Sequence, residues 1–188
     1  MRFEIYDLRF EVYDLKLISA HLSSNLKSQI GIKMIFLIFN FFMEKSYITN
    51  VEVRWSDLDP NFHVRHSVYY DFAAFCRIHF LDQQGLTTSF MTEHFFGPVL
   101  FREECIFRKE IRLGDKISLD LSLLSAREDY SRWTIQHNIF KNSDTLAAIL
   151  TVDGAWINTK ERKLTRPPEK ALQVFSEMKK SEAFSWIN

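Results

Sequence analysis

The hydrophobic pattern of the second half of the chain predicts four long strands, near residues 98–112, 116–127, 131–142 and 145–159. The alternation is clearest in the second, where every other residue from Ile117 to Leu123 is apolar and the residues between them are polar. Trp133, Ile135 and His137 repeat this pattern in the third. Short links rich in glycine, aspartate, asparagine and serine join the segments, so consecutive strands are expected to pair antiparallel.

A helical period replaces the alternation earlier in the chain. Apolar residues at helical spacing from Val68 to His79 predict a largely buried helix that ends near Gln84. Ser67 is the expected cap at its start. Gly85 offers the left-handed residue that commonly ends a helix.

One further strand is expected ahead of this helix, because Val51, Val53 and Trp55 alternate with polar residues. Together with the four later strands, it predicts an α+β fold in which a five-stranded antiparallel sheet is wrapped around a long central helix. Residues 86–94 predict a short helical turn, and residues 169–180 predict a C-terminal helix that follows a pair of prolines.

The composition gives the chain no excess charge, because 24 lysines and arginines balance 24 aspartates and glutamates among 188 residues. A neutral chain without a basic run is not expected to bind nucleic acid or an anionic membrane surface. The two cysteines, Cys76 and Cys105, fall in the predicted helix and in a predicted strand. Two cysteines without a disulfide pattern indicate a reducing compartment, and we expect a cytoplasmic protein.

Residues 1–42 differ in character from the remainder. RFEIYDL at 2–8 is followed at once by RFEVYDL at 9–15, and an apolar run, MIFLIFNFFM, occupies 34–43. We interpret residues 1–42 as an N-terminal extension that is disordered or results from an incorrectly assigned start, so that residues 43–188 form the domain. The alternative interpretation is a signal peptide or anchor, although the apolar run is short for a spanning helix.

Ionisable residues cluster between the first strand and the helix, in the segment VRWSDLDPNFHVRHSVYYD at 53–71. Pro60 disfavours the helical region for the residue before it, so Asp59 is expected in a fixed, extended pose. The first-turn amides of the helix, near His66 to Tyr69, have no helical acceptor and carry the positive end of the helix dipole. A carboxylate facing such amides suits thioester hydrolysis, because the amides polarise the carbonyl while the carboxylate attacks it or activates water.

The run DLDPNFHV, followed by two polar residues, a tyrosine and a buried helix, resembles the signature of the 4-hydroxybenzoyl-CoA thioesterase family within the hotdog superfamily. The resemblance extends through GPVLFREECIFRKEIRLGD to an RPP tail and covers residues 47–170. It implies a hotdog fold in which Asp59 is the catalytic carboxylate and the backbone amide near His66 binds the carbonyl. Many relatives have two asparagines in place of Arg65-His66, and several have a helix glutamate where this chain offers Asp71 and Ala74.

The other residues expected to bind the substrate lie in the same segment: His63, Arg65, Ser67, Tyr69 and Tyr70. The adjacent tyrosines diverge on the helix, so one is expected in the core and the other beside the acyl group. Arg65 either contacts a phosphate of coenzyme A or is solvated. The structural alternative for Asp59 is an Asx turn with its own backbone, whereas Asp57 is expected to be structural.

No metal or redox cofactor is expected, and coenzyme A enters only as part of the substrate. His63 and His66 lie near two acids, but a third metal ligand is not evident. The predicted function of residues 43–188 is that of a hotdog acyl-CoA thioesterase. The alternatives are an acyl-carrier-protein thioesterase and a non-catalytic acyl-CoA-binding module. An uncovered sheet edge predicts a homodimer or a dimer of dimers, with sites at the subunit interface.

Overall fold

The computed structural model describes residues 47–187. The predicted extension at residues 1–42 therefore lies outside the described residues, and its interpretation stays a prediction. The strands within 47–187 are β1 Tyr47–Val51, β2 Phe96–Phe107, β3 Ile117–Ala126, β4 Arg132–Lys141, β5 Thr145–Asn158, β6 Lys163–Leu164 and β7 Lys180–Trp186. The helices are α1 His66–Gln83, α2 Thr88–Glu93 and α3 Glu169–Ser176, and a 3-10 turn spans Trp55–Asp57.

The sheet is built around the path β1-β3-β4-β5-β2, in which every neighbouring pair is antiparallel. The antiparallel pairing of consecutive strands is therefore confirmed for β3 with β4 and for β4 with β5. It is wrong for β2 and β3, because β2 pairs with β5 at the other end of the path. Strand β2 is shorter than expected and ends at Phe107. Its ladder stops there because the amides of Arg108 and Lys109 both donate to the carbonyl of Ala147.

Within residues 47–187 the sheet contains seven strands, two more than the sequence predicts, because β6 pairs with β5 and β7 pairs with β3. In this range β1 pairs with β3 from Ile117 to Leu121. Residues 123–126 of β3 pair in parallel with β7. The expected C-terminal helix consequently ends at Ser176 and not at residue 180.

Helix α1 contains 18 residues and contacts strands β1, β2, β3 and β5. It begins one residue before the predicted cap: Arg65 is the N-cap, no side chain caps the helix, and Ser67 already lies in its first turn. Gly85 follows the helix with a φ of +73°, as the sequence predicts. Phe75, which belongs to the predicted apolar stripe, is 48% exposed and stacks on the ring of His79.

The segment before the helix is not a strand as far as Trp55. Strand β1 ends at Val51, and Trp55 lies in the 3-10 turn with 70% of its surface exposed. The alternation of Val51, Val53 and Trp55 therefore reflects only the end of a strand and an irregular loop. None of the helices within residues 47–187 combines the length and apolar character needed to cross a membrane.

Gly154 on β5 lies opposite Trp133 on β4, and this pair limits the size of the side chain at residue 154. A Cβ atom on Gly154 would lie 2.3 Å from Cη2 and 2.6 Å from Cζ2 of the Trp133 ring. We expect Gly154→Ala to lower the unfolding free energy by about 1–3 kcal/mol, because the rigid, buried indole must move. Urea unfolding measures the change.

Gly97→Ala is the matched control, because a Cβ there would meet Thr159 Cγ2 at 3.7 Å, an ordinary contact. In a Trp133→Phe background the same Gly154→Ala change should cost less, since the clashing ring is smaller. Equal losses for Gly154→Ala and Gly97→Ala would contradict this explanation.

His137 is fully buried in the sheet and contacts two polar groups. Its Nδ1 lies 3.0 Å from the carbonyl oxygen of Asp120, and its Nε2 lies 3.4 Å from Nη1 of Arg77 on α1. A neutral imidazole satisfies both contacts, with Nδ1–H as donor and Nε2 as acceptor. Burial, together with the nearby Arg77 charge, lowers the pKa of His137 to about 3.

The unfolding free energy is therefore expected to fall as the pH drops from 6.5, because the unfolded chain binds a proton that folded His137 excludes. The contribution of His137 is fully present above pH 6.5 and is lost progressively towards pH 3. The expected slope approaches about 1.4 kcal/mol per pH unit. Denaturant unfolding between these limits measures it, and His137→Gln should flatten the profile. An unchanged slope in this variant would assign the pH dependence to other groups.

Candidate functional site

The loop between β1 and α1 is held by backbone bonds to the link between β2 and β3. The Val64 amide donates to the carbonyl of Ile111 at 2.8 Å, and His63 forms an antiparallel bridge with Arg112. A second bridge joins Leu58 and Val64 within the loop. The segment that carries Asp59 is therefore fixed by pairing on both sides.

The carboxylate of Asp59 is fixed by two backbone amides. Its Oδ1 accepts hydrogen bonds from the amides of Asn61 at 2.8 Å and His63 at 3.1 Å. The Asn61 contact is the Asx turn that the sequence offers as a structural role for Asp59. Neither bond uses Oδ2. The His63 amide is the main cause that lowers the pKa of Asp59, so this partly exposed carboxylate is ionised at neutral pH.

The second acid of the motif, Asp57, connects the loop to the start of the helix. Its Oδ2 accepts from the Arg54 amide at 2.8 Å, and its carbonyl accepts from the Arg65 amide at 2.9 Å. The predicted structural role of Asp57 is confirmed by these bonds. These bonds hold the backbone of Arg65, the N-cap residue that directly precedes α1.

The start of α1 leaves two amides for a ligand. The Val68 amide donates to the carbonyl of Arg65 at 3.0 Å and is therefore already engaged. His66 and Ser67 precede it in the first turn, where a backbone N–H has no helical acceptor. These two amides carry the positive end of the helix dipole and can stabilise an oxyanion.

Among the other residues predicted to bind substrate, the two tyrosines are buried or half-buried, whereas the remaining residues lie in the loop or at the exposed start of the helix. Tyr69 lies in the core with 3% of its surface exposed, and its ring packs edge-on against Phe107 at 5.0 Å. Tyr70 is half-buried, and burial raises the pKa of both hydroxyls. Phe107 itself is 49% exposed, so it is not the core residue that its strand position suggests. Arg65 and Ser67 are exposed, and the amide of His63 bonds Asp59.

One polar cluster near the helix has no counterpart in the sequence-based predictions. Arg77, whose side chain is 11% exposed, donates to Glu103 at 2.8 Å and lies beside His137. The sequence indicates this cluster only through the presence of an arginine on a largely apolar helix, since the partners of Arg77 lie on β2 and β4.

Within residues 47–187, no group of three or more potential ligand side chains could hold a metal ion. That no cofactor is needed stays a prediction.

The chain is similar to a known protein family and to several solved structures. The model of the Thioesterase-like superfamily matches residues 53–175. No curated protein matches the chain. A hypothetical protein from Staphylococcus aureus, solved in complex with CoA, has a TM-score of 0.65 and 19% identity over 73% of this chain and 88% of that chain.

Two further structures share the fold. A 1,4-dihydroxy-2-naphthoyl-CoA thioesterase from Synechocystis has a TM-score of 0.63 and 16% identity, over 70% of this chain and 96% of that chain. A gentisyl-coenzyme A thioesterase has a TM-score of 0.60 and 19% identity, over 68% of this chain and 98% of that chain. At these identities, the structural similarity concerns the antiparallel sheet and its helices.

Proposed function

The chain belongs to the thioesterase-like superfamily and is a thioester hydrolase, and we propose that it converts an acyl-CoA to the free acid and CoA. The observation that carries this proposal is the position of Asp59. Its carboxylate is ionised and held by two backbone amides, in the loop that leads directly into the open amides of α1. This combination provides one anion for attack and two donors for the developing oxyanion.

In the proposed reaction, the amides of His66 and Ser67 bind the thioester carbonyl oxygen. Asp59 either attacks the carbonyl carbon or removes a proton from an attacking water. The carbon–sulfur bond then breaks, and CoA leaves as a thiolate. The thiolate takes up the proton that Asp59 removed from the attacking water, which restores the carboxylate, or a solvent proton when Asp59 itself attacks. If Asp59 attacks, water hydrolyses the resulting anhydride and restores the carboxylate. Both routes need Asp59 to be ionised, which its lowered pKa favours.

Coenzyme A as the carrier is supported by the neighbours, because one was solved with CoA and two are named as acyl-CoA thioesterases. The exposed Arg65 guanidinium, adjacent to the helix start, is suited to a phosphate of CoA. Tyr70 lies one helical turn further along, and as the half-buried tyrosine it is the one assigned to contact the acyl group.

We assign the site to the interface of a homodimer formed along β2. This 12-residue strand ends the main path of the sheet and exposes four large apolar side chains: Leu100, Phe101, Ile106 and Phe107. An edge strand of this length with exposed apolar residues is suited to pairing with a second copy.

Thiol release from a panel of CoA esters tests the proposal. The panel contains butyryl-CoA, dodecanoyl-CoA, benzoyl-CoA and a dihydroxybenzoyl-CoA. Hydrolysis of at least one ester well above the uncatalysed rate is expected. If the folded protein hydrolyses none of them but cleaves the corresponding acyl carrier protein thioesters, the assignment of CoA as the carrier is wrong.

A further inference from the structure

A cavity of about 240 Å³ lies between helix α1 and the sheet. Its inner wall contains buried aromatic rings from β4, β5 and α3: Trp133, Trp156 and Phe175. An apolar cavity of about 150 Å³ in another protein holds a benzene molecule, so this one is large enough for several carbon atoms of a ligand.

The mouth of the cavity lies between α1 and the edge strand β2. Among the lining residues, Ala74 and Ile78 on the helix and Pro98 and Leu100 on the strand are exposed in the single chain, and Leu100 also belongs to the edge assigned to the homodimer interface. Because 3.6 residues form a helical turn, Ala74 and Ile78 lie on the same stripe of α1 as Ser67. The mouth therefore lies along the helix from the amides proposed to bind the thioester carbonyl.

The distance from the Ser67 amide to the mouth of the cavity determines which acyl chains are long enough to enter it. From Ser67 to Ala74 the helix rises by about 10 Å, at 1.5 Å per residue. A butyryl chain bound at the helix start ends before the mouth, as does a single aromatic ring. A dodecanoyl chain extends past Ala74 into the cavity.

The lining of the cavity suits hydrocarbon. Within residues 47–187, Arg77 is the only charged residue that lines it, and its guanidinium already contacts Glu103 and His137. The indole N–H groups of Trp133 and Trp156 have no hydrogen-bond partner in this range, but the two rings cluster with Phe175, whose face is a weak acceptor.

A hydroxyl in the cavity would accept from the unpartnered indole N–H groups, but its own proton would find only weak aromatic acceptors, because indole and guanidinium groups only donate. Burying a hydroxyl without an acceptor for its proton costs free energy, whereas burying methylene groups is favourable. The lining thus disfavours a hydroxylated acyl group that extends as far as the cavity and favours a hydrocarbon chain.

From these observations we infer that the substrate is a long, straight-chain aliphatic acyl thioester whose distal carbons occupy this cavity. The inference rests on the proposed function, since it places the carbonyl at the start of α1. It assigns Ala74 as a specificity-determining residue, because its small, exposed side chain leaves the mouth open.

Ala74→Phe tests the inference, because an exposed position accepts the larger ring without repacking the core while the ring narrows the mouth. The ratio of kcat/KM for dodecanoyl-CoA to that for butyryl-CoA should fall roughly 100-fold, since several methylene contacts are lost. Ala183→Phe, an exposed alanine on β7 outside the cavity lining, is the matched control and should keep the wild-type ratio. Circular dichroism and light scattering verify fold and assembly in both variants.

Binding gives a readout independent of turnover. In the Asp59→Asn background, calorimetry should show tighter binding of dodecanoyl-CoA than of butyryl-CoA, and Ala74→Phe should remove the difference. Equal affinities for the two esters, or an unchanged ratio in Ala74→Phe, would overturn the inference. If wild-type protein hydrolyses butyryl or aromatic esters best, the assignment of the cavity to the acyl chain is wrong, but the proposed thioesterase activity is upheld. If no ester is hydrolysed, the proposed reaction is wrong. The binding comparison still shows in that case whether the cavity holds the acyl chain.

Discussion

Asp59→Asn is expected to lower kcat by roughly 10²- to 10⁴-fold while leaving the fold intact. The substitution removes the negative charge that attacks the carbonyl or activates water. The asparagine Oδ1 can still accept from the amides of Asn61 and His63, so the loop geometry is retained. Thiol release under saturating substrate measures the effect, and thermal unfolding verifies stability.

Asp57→Asn is the matched control, because its Oδ2 also accepts a backbone amide in the same loop, that of Arg54. Both variants remove one charge from the motif, but only one removes the proposed catalytic group. The pKa of Asp59 lies below its usual value, so the wild-type carboxylate is ionised at neutral pH and the comparison there reports its charge. Wild-type turnover in folded Asp59→Asn would exclude the proposed mechanism.

His66→Pro is expected to lower kcat by roughly 10²- to 10³-fold, because it deletes one of the two amides proposed to bind the oxyanion. The backbone can accept this change. Proline is favoured at the first position of a helix, and the preceding Arg65 has φ −59° and ψ 143°, in the region that a residue before proline prefers.

His66→Ala separates the amide from the imidazole, because it removes the side chain and keeps the N–H. It should retain most of the wild-type kcat. Thr88→Pro makes the same backbone change at the first residue of α2, after the extended Thr87, and should leave turnover unchanged. If His66→Pro is folded and as active as His66→Ala, the amide of residue 66 does not bind the reacting carbonyl.

The interior of the sheet could be predicted from sequence because alternation directly encodes a buried face. Ile117, Leu119, Leu121 and Leu123 are all buried, and so is every predicted inward residue from Trp133 to His137. Reasoning from periodicity was wrong for Trp55, ahead of the helix, and for Phe75, on the helical stripe, because both are exposed. Hydrophobicity alone does not distinguish a core position from an exposed position at the surface of a single chain.

The ends of elements were predicted less well than their interiors. Ser67 has the side chain of a typical cap, but the backbone pairing of Asp57 with Arg65 places the N-cap at Arg65, two residues before Ser67. Strand β7 could not be expected, because it forms by pairing with β3, a strand far from it in the sequence. In both cases a long-range backbone contact outweighs a local preference.

Local periodicity and spacing suffice to place the strands and the helix along the chain and a carboxylate just ahead of the helix, but not to order the strands within the sheet. The tertiary structure alone decided which groups meet. It holds Asp59 with the amides of Asn61 and His63, and it joins Arg77 to Glu103 across 26 residues. It also encloses the cavity between α1 and the sheet. The physical reason is that periodicity identifies a buried face but not the distant segment that packs against it.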